Sequence, residues 1–212
     1  MVSMRIINKL RRTFYIWRDK SAVPNYGQIE GFLSPYEAVS LYRLASKLGQ
    51  ESTIVEIGSW KGKSTYCLAR GLRSGHVIAI DPFDAAGEQG SHEIYITNRG
   101  AGPLLEQFTQ RMTSLGVADK IDVLQGYSTQ FVGHIPHIDL LFIDGDHSID
   151  GCGFDFFNYS PALASGGYIA FHDYDPRRKD LGPTWVIEQK LMPSGLFRPI
   201  GVYDSLWVGQ KV

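Results

Sequence analysis

The stretch 54-IVEIGSWKGKSTYCLARGL-72 decides how the rest of the chain is read. It opens on an apolar, β-branched run broken by one acid, Glu56. It turns at Gly58 and resumes as a helix-forming run from Lys63. Strand, glycine loop and helix form the first unit of a parallel α/β sheet. The loop carries Gly58, then Gly62-Lys63-Ser64, one residue short of the phosphate-binding pattern G-x-x-x-x-G-K-[ST]. The missing residue takes a backbone N–H out of the ring that would wrap a phosphate. The loop is not G-x-G-x-x-G either, so the dinucleotide pattern is weaker still.

Working outward, the alternation continues. Strands are expected at 76–81 (HVIAID), 121–126 (IDVLQG), 138–145 (IDLLFIDG) and 166–173 (GGYIAFHD). Helices are expected over 35–48, 63–72, 102–116, 150–164 and near 183–192. The run IDLLFI is wholly apolar but for Asp139, as a central parallel strand covered on both faces should be. The C-terminal run LFRPIGVYDSLWVGQKV predicts two strands joined at Tyr203-Asp204-Ser205, adding one antiparallel strand at or near the sheet edge. The expectation is a Rossmann-like, doubly wound α/β sheet of seven strands, mostly parallel. Ser34-Pro35 with Glu37 reads as a capping box opening the first helix. Residues 82–101 are the least regular and follow a strand's C-terminal end, where binding loops sit.

One domain preceded by a short N-terminal segment is expected. Residues 1–28 form an amphipathic helix, with Ile6, Ile7, Leu10, Phe14 and Trp17 on one face, plus a linker; 29–212 form the single catalytic domain. The whole chain of 212 residues carries net charge −1, but residues 1–20 hold six basic residues against Asp19, a net +5, leaving −6 on the remainder. That balance gives no argument for nucleic acid binding. The basic helix is suited to docking on a second copy, as in a homodimer, or to peripheral contact with an anionic membrane surface. No run of 18 apolar residues occurs, and there are two cysteines, Cys67 and Cys152. The expected compartment is the cytoplasm.

Acids gather at the predicted strand ends. Glu56 precedes the glycine loop, and Asp81 closes the second strand, where a carboxylate can accept hydrogen bonds from both hydroxyls of a ribose. A carboxylate at position 56 repels a triphosphate and suits a ligand with a sulfonium and an ammonium. Asp144, Asp146 and His147 follow the fourth strand; His172 and Asp173 follow the fifth. Neighbouring parallel strands, roughly 5 Å apart, bring these two groups into one crevice.

VEIGSWKGKST, GHVIAIDPF, IDLLFIDGDHSIDG and ASGGYIAFHD together resemble class I S-adenosylmethionine-dependent methyltransferases. The similarity is to the branch with FIDGDHSY-like and HD segments, which includes macrocin, sugar and natural-product O-methyltransferases. It covers residues 30–212, with Ile149 where that branch often has Tyr. The resemblance implies transfer of a methyl group from S-adenosyl-L-methionine to a small-molecule or sugar hydroxyl. It implies that Glu56, Gly58, Ser59, Gly62, Ser64, Asp81, Gly126, Ser128 and Asp144 border the cofactor. It implies a divalent cation, magnesium or manganese, held by Asp144, His172 and Asp173, with Asp144 and His147 catalytic and His147 the general base. His172 stands where relatives often have an acid, and an imidazole suits manganese, zinc or iron(II) better than magnesium. An imidazole with an ordinary pKa of about 6.5 takes a proton near neutral pH.

Two other readings remain at this stage. A P-loop-like nucleotide enzyme would use Lys63 on phosphate and Asp144 on magnesium. A metal-dependent, hydroxylase-like relative of the same fold would bind the cation without methyl transfer.

Overall fold

The computed structural model describes residues 13, 15, 16, 18–87 and 92–212. The face built from Ile6, Ile7, Leu10, Phe14 and Trp17 lies outside the described residues. Among the described residues, seven strands form one sheet: β1 (Ser52–Ile57), β2 (Gly75–Asp81), β3 (Ile121–Gln125), β4 (Ile138–Ile143), β5 (Leu163–Phe171), β6 (Phe197–Tyr203) and β7 (Leu206–Lys211). Their order is β3-β2-β1-β4-β5-β7-β6. β1 to β5 are mutually parallel, and β7 runs antiparallel between β5 and the edge strand β6. The expected doubly wound sheet with one antiparallel strand near its edge is therefore the observed one.

Helices pack on it: α1 (Pro35–Ser46), α2 (Lys63–Gly71), α3 (His92–Asn98), α4 (Leu104–Ser114), α5 (Ile149–Tyr159) and α6 (Gly182–Val186). α6 runs on into a π-helical turn, Ile187–Leu191. Side chains alternate across the pleat even where the strands are uniformly apolar. Ile54, Leu140 and Phe142 face one core with α1, α2 and α4; Val55, Leu141 and Ile143 face the other with α5 and Ile187. Each such fully buried aliphatic or aromatic side chain contributes roughly 1.5–3 kcal/mol.

Three boundaries differ from the sequence reading, each for a local reason. α5 stops at Tyr159, five residues early, because Ser160-Pro161 cannot continue it and β5 begins at Leu163. α3 lies inside the stretch read as irregular. The stretch read as a linker is packed: Val23, Tyr26 and Ile29, three residues apart, are buried in the first core. Ahead of it, Tyr15 packs edge-on against Tyr36 at 5.4 Å, and the Arg43 guanidinium lies 3.3 Å from the Tyr15 ring centre while pairing with Asp19. This segment's described end docks on its own chain.

The strand order reverses between β1 and β4. In open α/β sheets the ligand crevice lies at that point, beyond the strands' carboxyl ends. Here the loops opening there begin with Gly58 and Asp144.

Candidate active site

The glycine loop is fastened to the protein rather than open to an anion. Gly58 N–H donates to the Ile80 carbonyl at 2.9 Å, and Gly62 N–H to the Ser59 carbonyl at 2.8 Å. Trp60 N–H donates to Asp81 Oδ2 at 2.8 Å. The Lys63 amine, half-buried rather than solvated, turns away and donates to the Gly31 carbonyl at 3.1 Å. A phosphate cradle needs converging free amides and a lysine pointing inward; here three of the loop's amides are taken and Lys63 points away. Gly58 (φ 90°) is required where it stands, because a Cβ there would sit 2.1 Å from the Asp144 carbonyl oxygen. Gly62 (φ 85°) admits α4, since a Cβ would come 2.6 Å from Met112 and 2.9 Å from Phe108.

The two acids expected at the loop occupy different depths. Glu56 is fully buried beneath it, and Ser59 and Thr65 hydroxyls donate to its Oε2. Its Oε1 has no hydrogen-bond partner among the described residues. Burial pushes its pKa up to about 7, against the lowering pull of the Ser64, Thr65 and Ser59 hydroxyls. Asp81 reaches the crevice. It also braces both loops, accepting from Trp60 N–H and, on Oδ1 at 2.6 Å, from Phe83 N–H. Burial raises its pKa, opposed by those amides.

Ile143 and Phe171 are paired in register, so β4 and β5 release Asp144 and His172 side by side. His172 Nδ1 lies 3.1 Å from both Asp144 Oδ1 and Asp173 Oδ2. Its Nε2 lies 3.5 Å from Glu37 Oε2. Burial alone would lower the His172 pKa, but the Asp144, Asp173 and Glu37 carboxylates hold it well above the usual value. His147 Nε2 is 3.0 Å from Asp173 Oδ2 and 3.7 Å from Asp144 Oδ1. The two imidazoles, His147 first, outweigh burial and keep the Asp173 carboxyl well below its usual range. Asp173 adopts φ 57°, a left-handed conformation costing a non-glycine residue about 1–3 kcal/mol. That bend carries its carboxylate between the two histidines.

One ligating atom each from Asp144, His147 and Asp173 lies within 4.8 Å of the others. Two carboxylate oxygens and an imidazole suit a borderline or hard divalent cation. His172, expected as a ligand, lies beside this compact set, against Asp144 and Asp173.

Two cavities meet at the crevice. The larger, about 910 Å³, has the His147–His172–Asp173 cluster at its floor and Phe32, Ile94 and Tyr95 at its mouth. The smaller, about 300 Å³, is lined by five aspartates (81, 84, 144, 146 and 155) and, among the described residues, by no lysine, arginine or histidine. Gly58, Trp60, Tyr95 and Asp144 border both. Trp60 packs edge-on against Tyr95 at 4.9 Å across the junction.

Residues 55–174 match the model of a methyltransferase domain family, more than half of the chain. The chain belongs to this methyltransferase-domain family. Its methyltransferase domain shares its fold with solved O-methyltransferases. TomG from Streptomyces achromogenes, determined in complex with SAM, is 19% identical, with a TM-score of 0.61 over 93% of this chain and 89% of that one. An O-methyltransferase from Bacillus cereus, in complex with SAH, is 18% identical with a TM-score of 0.63, covering 91% and 90%. NovP, also an O-methyltransferase, is 17% identical with a TM-score of 0.63, covering 84% and 81%. An uncharacterized protein of Acanthamoeba polyphaga mimivirus is 30% identical over 132 residues. That match covers 59% of this chain, and the chain spans about half (53%) of the relative's length.

Of the expected site residues of the methyltransferase domain, Gly58, Asp81, Gly126, Ser128 and Asp144 line the smaller cavity. Ser59, Ser64, His147, His172 and Asp173 line the larger. Glu56 and Gly62 line neither, acting from beneath the loop and behind it. Two buried acids went unassigned. Glu37 accepts from Ser34 N–H at 2.7 Å as the expected capping box, but it also takes Ser205 N–H and Oγ–H at 2.9 and 2.8 Å and faces His172. The cap was legible; the partners from β5 and the β6–β7 turn were not. Asp155, on α5, has a local signal: it is an acid flanked by Phe154, Phe156 and Phe157.

Proposed function

We propose that this protein is an S-adenosylmethionine-dependent O-methyltransferase acting on a small-molecule hydroxyl. The observation that carries the reading is the smaller cavity: a nucleoside-sized crevice with five aspartates and, among the described residues, no basic side chain. Such walls repel phosphate and attract a ligand bearing sulfonium and ammonium charges. The bonded amides of Gly58, Trp60 and Gly62 argue the same way.

When bound, S-adenosylmethionine supplies an electrophilic methyl whose departure leaves a neutral thioether. Asp81 would hold its ribose, with Gly126 and Ser128 beside the base. Gly58 and Asp144 would border the passage into the larger cavity, where the acceptor enters. There the chain's own groups handle the proton. His147 Nε2, 3.0 Å from Asp173 Oδ2, takes the proton once the acceptor hydroxyl displaces that carboxylate contact. The imidazolium so formed rests against both carboxylates. His172, cationic between Asp144 and Asp173, keeps those carboxylates from repelling each other and fixes their aim. A divalent cation held by Asp144 and Asp173 would supply Lewis acidity toward the acceptor oxygen; the compact donor set supports this. Positioning accounts for much of the rate, since no covalent enzyme intermediate is needed.

The test uses S-adenosylmethionine with a panel of aryl and sugar hydroxyls, following S-adenosylhomocysteine release. Replacing His147 with Asn should lower kcat by roughly 10²–10⁴-fold, the usual contribution of a general base. Affinity for S-adenosylhomocysteine should stay within about threefold, because the base lies in the other chamber. Unchanged kcat in this variant would remove His147 from the proton transfer, and no product release with any acceptor would contradict the activity.

A further inference from the structure

The glycine loop and the start of α2 carry two lysines, Lys61 and Lys63, for which methyl transfer as described above has no use. Both turn back onto the segment ahead of α1. Lys61 is buried, and its amine pairs with the Glu30 carboxylate. The Lys63 amine donates to the Gly31 carbonyl at 3.1 Å. Gly31 (φ 149°) lies against the Lys63 stem, since a Cβ there would come 3.3 Å from Lys63 Cδ. Ile29 and Leu33 are buried in the first core. Residues 30–32 therefore arch over the loop between two apolar anchors, and the two lysines hold the arch down.

Phe32 leaves this arch at the mouth of the larger cavity. It is 57% exposed and meets Tyr95 edge-on at 6.1 Å. Tyr95 in turn meets Trp60, and Ile94, its neighbour on α3, is 50% exposed at the same mouth. Half-exposed phenylalanine and isoleucine side chains at a cavity mouth are apolar area that a bound ligand covers. A flat ring gains stacking or edge-on contacts there. A bare sugar would set its hydroxyls against side chains that cannot pair with them. Resting on the function proposed above, we propose that Lys61 and Lys63 are positioning residues for acceptor recognition. They hold the arch so that Phe32 completes, with Ile94 and Tyr95, a wall for an acceptor whose hydroxyl is carried on a flat apolar ring.

The test is calorimetric binding of 2-naphthol to the protein saturated with S-adenosylhomocysteine, so it needs no turnover. The probe should bind at least about tenfold more tightly than methyl glucoside, and Phe32→Ala should weaken it at least about fivefold. The double variant Lys61→Met, Lys63→Met keeps apolar stems and removes both ties. It should weaken 2-naphthol about as much as Phe32→Ala does. Its affinity for S-adenosylhomocysteine should stay within about threefold, because neither lysine lines the smaller cavity. In the Phe32→Ala background the lysine substitutions should change 2-naphthol binding by less than about twofold, since they act through that ring. Should the double variant melt too low for assay, Lys63→Met alone carries the same cycle. Unchanged 2-naphthol affinity in the lysine variant, or losses that add to that of Phe32→Ala, would overturn the positioning role. Binding of 2-naphthol no tighter than methyl glucoside, or untouched by Phe32→Ala, would overturn the aromatic wall while leaving the methyl donor assignment standing. No binding of S-adenosylhomocysteine would overturn that assignment itself.

Discussion

Glu56 shows how one residue can be read correctly as to place and incompletely as to role. It sits at the end of β1, under the loop, with three hydroxyls around one carboxylate and no exposure. Its pKa of about 7, raised by burial, has a defined consequence for stability. Between its unfolded value near 4.3 and about 7, the folded chain binds a proton that the unfolded chain has lost. Stability contributed by the neutral form is therefore complete at low pH and is lost as pH rises through about 7. Asp155, also raised to about 7 by burial, acts in the same direction. Glu37 acts oppositely. Held at about 2 by His172, Ser34 and Ser205 against its burial, it stabilises above pH 4.5 and loses that contribution as pH falls toward 2. Scanning calorimetry of the ligand-free protein should show a fall in melting temperature between pH 5 and pH 7.5. Glu56→Gln should flatten it, with a gain at pH 7.5 on the order of 3 kcal/mol. A variant that melts lower than wild type throughout this range would show that Glu56 is charged and stabilising in the fold.

At the scale of elements, the decisive contact is where β1 and β4 end. Gly58 closes against the Asp144 backbone, with a carbonyl oxygen 2.1 Å from the position a Cβ would take. Backbone cannot move aside as a side-chain tip can. Gly58→Ala should therefore cost at least about 3 kcal/mol in urea denaturation, or prevent folding. Gly116→Ala is the control: its φ is also positive, at 67°, but no atom lies within 4 Å of the added carbon. It should cost only about 1 kcal/mol. Equal costs would mean the β1–β4 junction is looser than described. The sequence shows two similar glycines and gives no way to rank them, because the clash is with a residue 86 positions away. What was legible was whatever depends on local pattern. The apolar runs of β1 and β4, the Ser34 cap of α1 and the turn at Asp204 all came from spacing. The acids at strand ends were legible because strand alternation fixes where strands stop. Glu37 facing His172 was not legible, since it requires α1, β5 and the β6–β7 turn to meet. The meeting of Asp144, Asp173 and Glu37 around His172 is likewise a property of three carboxylates converging from separate elements.

At the scale of the molecule, the two chambers divide the labour. One is acidic and nucleoside-sized; the other is larger, with aromatic walls above a histidine–carboxylate floor; they share Gly58 and Asp144. Among the described residues, no helix is long and apolar enough to cross a membrane. Lys63 is the feature that kept a nucleotide enzyme in contention, and in the fold its amine is tied to the Gly31 carbonyl, away from any phosphate position. The most direct measurement is calorimetric titration of the whole protein with S-adenosylhomocysteine and, separately, ATP, each with and without magnesium. The proposed function predicts micromolar binding of S-adenosylhomocysteine, retained in Lys63→Ala, and no binding of ATP under either condition. Binding of ATP, lost in Lys63→Ala, with no affinity for S-adenosylhomocysteine, would contradict it and make the aspartate crevice a magnesium–nucleotide site.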